Sequence, residues 1–215
     1  MLTIEKTVLP SPEQWEIIIE GMRNPMNSWN KMDSAAFIHF DNTEEFVLGD
    51  ADHALMTKLA NGGAVHAKYR RMIPVWVTIN APFYWWKELD TYKVGTVCNS
   101  CSTMHKVHSK KFELSDFSWE HLNEDNIELL EQIAGRLNEY RDFFVTSGYK
   151  GDWWQLIQML PTSYNQKRTI MLNYEVLVNI YKWRRHHKLD EWHTFCDWIE
   201  KLPYADLIVG GENDG

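Results

Sequence analysis

Only three cysteines occur in 215 residues, Cys98, Cys101 and Cys196. So few exclude a disulfide framework, and with no signal-peptide pattern at the start they point to a reducing, cytoplasmic setting. No apolar run approaches the roughly 18 residues a membrane helix requires, so no membrane partner is expected. Basic residues are also short: 22 Lys and Arg face 30 Asp and Glu, a formal net charge of -8. That balance argues against a nucleic acid polymer, which needs a basic face to displace its counterions. An anionic small molecule stays open wherever cations and backbone N–H groups are concentrated locally. There is no internal repeat, low-complexity tract or linker. At this length the chain is expected to form one domain over residues 1–208, with a flexible tail at 209–215.

Aromatic side chains are what the sequence has in surplus, with 11 Trp, 9 Tyr and 9 Phe. Such residues fill cores and interfaces and also stack on planar rings. Residues 15–20 (WEIIIE) read as a strand and residues 21–34 as a loop. Residues 50–61 have helical spacing at Ala54, Leu55 and Leu59, stopped by Gly62-Gly63. Within residues 68–80, Val75, Val77 and Ile79 alternate against Trp76 and Thr78 as in a strand, after which Pro82 can open a helix. Helical period returns over 123–146, ended by Gly148. A short helix capped by Asp152 and terminated by Pro161 follows, then helices over 173–187 and 190–202. The order β, α, β, α and then a helical second half describes an α+β fold.

Chemistry concentrates in residues 85–108, WWKELDTYKVGTVCNSCSTMHKVH. Cys98, Cys101, His105 and His108 are zinc-ligand types, but four ligands within eleven residues close only around a strained turn. A redox dithiol belongs at a helix start after a strand, whereas this pair follows a helix and a glycine turn. Two half-buried cysteines in a polar loop are the plainer reading. The same loop can instead grip phosphate: Gly95 permits a tight turn, Thr96, Asn99, Ser100 and Ser102 offer donors, and Lys93, His105 and Lys106 add charge. Residues 182–188 (KWRRHHK) set Arg184, Arg185, His187 and Lys188 around the end of a helix. Cations are stabilised there by the helix dipole, and they are equally consistent with an anion pocket. His66 taken alone is a loop histidine, and Asn173 and Asn179 taken alone are packing or hydrogen-bonding residues of a helix.

In combination, these pieces resemble the flavin-dependent thymidylate synthases, the ThyX family. The family's series is a His closing an early element, a strand, a Pro-led helix, an R-H-R-x-x-S-x-N-E signature, an L-P element, two Asn six residues apart, an Arg and a Trp. Here it becomes His66, Pro82, the loop at 91–99, Leu160-Pro161, Asn173, Asn179, Arg184 and Trp192. The likeness runs over residues 59–207. It departs at the signature, where Thr91-Tyr92-Lys93 stands for Arg-His-Arg, Thr96 for Ser and Ser100 for Glu, and again at Ile157, which replaces an Arg.

The resemblance implies a ThyX-like domain with a central mixed or antiparallel sheet, and a homotetramer. It further implies reductive C5-methylation of a pyrimidine deoxynucleotide such as dUMP, with FAD as cofactor and NADPH and methylenetetrahydrofolate as co-substrates. Arg184 would be the catalytic residue at the pyrimidine. The flavin would be held by His66, Lys93, Asn173, Asn179 and His187. Substrate would be held by Glu88, Thr96, Asn99, Ser100, Ser102 and His105 together with Arg184, and no metal is required. Two other readings remain: a catalytically inactive ThyX-like nucleotide-binding or assembly protein, and an unrelated α+β protein with a metal at Cys98, Cys101 and His105.

Overall fold

The computed structural model of the chain describes residues 1–210. Along it run β1 (Thr3–Val8), α1 (Pro12–Arg23), β2 (Ala35–Ile38), β3 (Glu44–Val47), α2 (Asp50–Asn61), β4 (Pro74–Pro82), α3 (Phe83–Leu89), β5 (Val97–Ser100), α4 (Glu124–Ser147), α5 (Lys150–Met159), β6 (Asn165–Asn173), α6 (Tyr174–Arg184), α7 (Asp190–Ile199) and α8 (Asp206–Val209). The class is α+β, as expected. One sheet has strand order β1-β4-β6-β5, and β2 and β3 form a separate antiparallel pair in which Ala36 faces Phe46. Of the tail expected at 209–215, Val209 closes α8, and residues 211–215 lie outside the described residues. Among the described residues no helix is long and apolar enough to cross a membrane.

Two expectations fail, for opposite reasons. Residues 15–20, expected as a strand, lie inside α1. Ser11 Oγ accepts from the Gln14 N–H at 3.3 Å and Gln14 Oε1 accepts from the Ser11 N–H at 2.9 Å, with Pro12 in the first turn. That reciprocal cap starts a helix whose buried Trp15, Ile18, Ile19 and Met22 share one face, overriding the strand preference of three consecutive isoleucines. Conversely, β6 interrupts the helical second half. Its first five residues, NQKRT, are all polar and carry no apolar alternation, so hydropathy hides it. Elsewhere the expected helices stand within a few residues. Asn123 caps α4 by accepting from the Asn126 N–H at 3.0 Å, and Gly148 ends it at φ +67°. Asp152 falls inside the first turn of α5 and is not its cap, which is Tyr149.

The chain divides into two compact units. Unit 1 comprises Met1–Glu5, Thr78–Thr91 and Cys98–Thr169. Its core joins Phe112 and Phe117 to Leu130, Leu137 and Leu156 of α4 and α5. Trp85 and Trp86 on α3 are wholly buried, with Trp86 Nε1 donating to the Gln166 carbonyl at 2.8 Å.

Unit 2 comprises Lys6–Val77, Tyr92–Val97 and residues 170–210. Here α6 begins where the Tyr174 N–H donates to the Ile73 carbonyl at 3.1 Å and Tyr174 Oη to the Pro203 carbonyl at 2.6 Å. Trp15 of α1 stacks on Phe46 of β3 with ring centroids 5.8 Å apart. The base of the β2–β3 hairpin is tied down by Asp52, which accepts from Arg23 Nε at 2.5 Å, from the Asp33 and Ser34 N–H groups and from Ser34 Oγ. Burial alone would raise the Asp52 carboxyl, but these bonds outweigh it and hold the group below the usual carboxylate range.

Candidate functional site

In unit 2 the segment from Tyr92 to Thr96 lies against α6. Gly95 turns at φ +79°, and a Cβ there would meet Asn173 Nδ2 at 3.0 Å and a Val176 methyl at 3.1 Å. Only glycine allows both the left-handed conformation and the close approach. Asn173 is the N-cap of α6, its Oδ1 accepting from the Val176 N–H at 3.0 Å, so it precedes the helix in which it was expected. Thr96 Oγ1 is buried with no hydrogen-bond partner among the described residues.

At the other end of α6, Arg184 Nε donates to Tyr92 Oη at 3.0 Å. Its guanidinium lies 4.9 Å from the Trp192 ring centroid and 5.7 Å from that of Tyr92. His187 also stands against Trp192, 6.3 Å between centroids, and its Nδ1 accepts from the Leu189 N–H at 3.2 Å. Of the expected residues, Asn173 therefore caps the start of α6 beside the turn that carries Thr96, while Arg184 ends the helix and His187 follows it. Lys93 and Asn179 belong to the same two segments and are solvent-exposed.

His66 lines a different feature of unit 2, a cavity of about 520 Å³ shared with Met22, Met26, Leu59, Tyr69 and Met72. Three methionines and a tyrosine make its wall apolar and adaptable.

The remaining expected substrate residues belong to unit 1. Glu88 stands in the last turn of α3, its carbonyl accepting from the Thr91 N–H and hydroxyl. Asn99 and Ser100 are exposed on β5, and His105 is exposed with its N–H donated to Ser102 Oγ at 3.0 Å. Ser102 alone among these lines a cleft of about 560 Å³ with Lys106, Lys110, Lys167, Ser109 and Tyr164. Lys110 pairs with Asp116, and Lys167 pairs with Glu5 at 2.6 Å, a hydrogen bond that raises the lysine above its ordinary value. Lys106 has no ion-pair partner among the described residues. Burial pushes the Tyr164 phenol up to about 12, which keeps it a hydrogen-bond donor.

Cys98 and Cys101 are exposed, not half-buried. Cys98 lies on β5 and Cys101 just beyond its end, and both are free thiols. Among the described residues no group of three or more His, Cys, Asp or Glu is placed to hold a metal ion.

Sequence reasoning missed Tyr92, Trp192 in its role as a platform, and Arg168. Arg168 Nη1 bonds Asp90 at 2.8 Å, and its guanidinium lies 4.5 Å from the Trp86 ring centroid. No local spacing signals these partners, because each contact joins segments far apart in the chain.

No family model matches the chain, and no curated protein sequence matches it. Solved structures do. Flavin-dependent thymidylate synthase ThyX from Helicobacter pylori, complexed with FAD and dUMP, is 17% identical with a TM-score of 0.65 over 97% of this chain and 98% of that one. A second structure of that protein with FAD and dUMP gives 17% identity and a TM-score of 0.66 over 100% of each chain. The UMP/dUMP methylase PolB from Streptomyces cacaoi, bound with 5-Br dUMP, is 12% identical with a TM-score of 0.57 over 93% of this chain and 88% of that one. The chain has the fold of these enzymes.

Proposed function

We propose that this protein is a divergent flavin-dependent enzyme of the thymidylate synthase type, performing reductive C5-methylation, or a related C5 modification, of a pyrimidine deoxynucleotide such as dUMP. One observation carries this reading: Arg184, set on an aromatic platform, shares α6 and its facing turn with Asn173, Gly95 and Thr96. A fold shared with two kinds of nucleotide-binding enzyme supports it.

The residues present fit FAD on two counts. The apolar His66 cavity has room for a flat tricyclic ring. Thr96 Oγ1 is a buried hydroxyl that a bound polar group would satisfy. His66, Lys93, Asn173, Asn179 and His187 would hold the cofactor. A bound, reduced flavin supplies hydride, with NADPH as reductant and methylenetetrahydrofolate as carbon donor. Arg184, its Nε committed to Tyr92 and its plane set by Trp192, would direct positive charge at the pyrimidine carbonyls and stabilise negative charge developing on the ring. Lys106 and Ser102 would receive the phosphate. Glu88, Thr96, Asn99, Ser100 and His105 would complete the substrate contacts. In the homotetramer that the resemblance implies, pockets lie between subunits, so these groups need not come from one copy.

The catalytically inactive alternative draws on one feature, Thr91-Tyr92-Lys93 in place of Arg-His-Arg, with Tyr92 occupied by Arg184. Lysine cannot make the planar two-pronged grip of arginine. Calorimetric titration of dUMP into FAD-incubated protein tests the shared premise, and formation of dTMP with NADPH and methylenetetrahydrofolate separates the two. Saturable binding with product supports the enzyme, and binding without product supports the silent homologue. The absence of any binding would refute both.

A further inference from the structure

Sulfur walls the apolar cavity of unit 2. Three of the chain's nine methionines, Met22, Met26 and Met72, line it together with His66 and Tyr69. Met22 is buried, whereas Met26 and Met72 are 44% and 46% exposed, so these two border both the cavity and solvent. Met72 is also tightly placed. Its Sδ and Cε lie 3.5 Å and 3.1 Å from where a Cβ on Gly21 of α1 would stand, so the thioether rests in space that a glycine leaves open. Gly21 lines the cavity as well, and an oxygen atom added to that sulfur is therefore added at the cavity wall.

A thioether takes one oxygen atom from hydrogen peroxide. The O–O bond breaks, an S–O bond forms, sulfur loses two electrons and the second oxygen leaves as water. An apolar, flexible side chain thereby becomes a polar one, and methionine sulfoxide reductases reverse the change. Peroxide arises where reduced flavin meets dioxygen, as two electrons and two protons pass to the oxygen molecule and oxidised flavin remains. Gap-filling accounts for a buried methionine such as Met22. It does not account for thioethers at two half-exposed positions, where leucine fills the same volume without this chemistry.

We propose that Met26 and Met72 are an oxidation site built into the flavin cavity, converted to sulfoxides by peroxide formed there, and that their oxidation expels the cofactor. The inference rests on the reading that this cavity holds flavin. Sulfoxides replace part of the apolar wall that a flat ring packs against, so the oxidised chain releases its cofactor. A site whose reducing equivalents go to oxygen before substrate is in this way shut, and a sulfoxide reductase reopens it.

The test uses the full chain, loaded with FAD, freed of excess, photoreduced under argon and opened to air in the dark with catalase present. Peptide mass spectrometry follows each methionine. Met104, 45% exposed and outside the cavity lining, is the internal control. Sulfoxide is expected at Met26 and Met72 several-fold faster than at Met104. Bound-flavin absorbance should fall in step and return after methionine sulfoxide reductase and fresh FAD. Flavin-free chain given hydrogen peroxide is expected to lose the preference, and Met26→Leu/Met72→Leu to keep, after the same exposure, the flavin it held before. Oxidation of Met26 and Met72 no faster than that of Met104 overturns the proposal while leaving the flavin reading intact. So does an equal preference in the flavin-free chain, or flavin retained undiminished once both residues are oxidised. A chain that is colourless before photoreduction overturns both readings and is told apart at that first step.

Discussion

Arg184 donates Nε–H to Tyr92 Oη at 3.0 Å, joining the end of α6 to a segment 92 residues earlier in the chain. The rings of Trp192 and Tyr92 also stand against the guanidinium, 4.9 Å and 5.7 Å from centroid to cation, and help hold it in place. A long, flexible side chain so held loses its rotamer entropy before any ligand arrives, which favours binding.

Tyr92→Phe keeps the ring and deletes the acceptor. A hydrogen bond to a charged group contributes about 1.5–3 kcal/mol, so nucleotide affinity should fall by roughly tenfold or more while the melting temperature barely moves. Calorimetry with dUMP measures the first and a thermal scan the second. Equal affinities in variant and parent would remove Tyr92 from the site.

Arg184→Ala should weaken nucleotide binding far more than Cys98→Ser. Cys98 is exposed, and its nearest polar partner is Arg168 Nη1 at 4.0 Å, a weak contact to lose. The reverse order in parallel titrations would transfer the site to the β5 strand.

Gly95→Ala forces a side chain into a left-handed turn, at about 1–2 kcal/mol, and presses its Cβ to 3.0 Å from Asn173 Nδ2. Melting should drop by several degrees, and nucleotide binding should weaken with it because the turn and the α6 cap are pushed apart. A variant as stable as the parent would contradict the turn geometry.

Asp52 ties stability to pH. Its folded carboxyl is held below the ordinary value of 3.8, so the stabilisation is complete above that value and fades as pH falls through the lower, folded one. Acid titration of unfolding should show this loss, and Asp52→Asn should flatten it. At neutral pH the same variant leaves Arg23 buried against a neutral partner, a change that costs about 3–5 kcal/mol when a buried pair is broken. A parent-like acid profile in Asp52→Asn would assign the pH dependence elsewhere.

Much of the fold is legible where a local cap agrees with hydropathy period: α2 follows from spacing plus Gly62, and α4 from spacing plus Asn123 and Gly148. Legibility fails where tertiary context decides. The polar first half of β6 is a strand because its neighbours β4 and β5 pair with it, and isoleucines 17 to 19 are helical because Ser11 and Gln14 cap them. Asn173 and Arg184 stand out in the sequence through the family resemblance, and Gly95 as a turn in the polar loop. Tyr92 and Trp192 do not stand out as partners, since their contacts exist only once distant segments meet.

The most direct measurement is the absorbance spectrum of the freshly purified protein, repeated after incubation with FAD and removal of the excess. Oxidised-flavin bands that stay with the folded chain, leave it on denaturation and diminish in Thr96→Val are the expected result. A chain that remains colourless after soaking in FAD would contradict the claim that these residues form a flavin site.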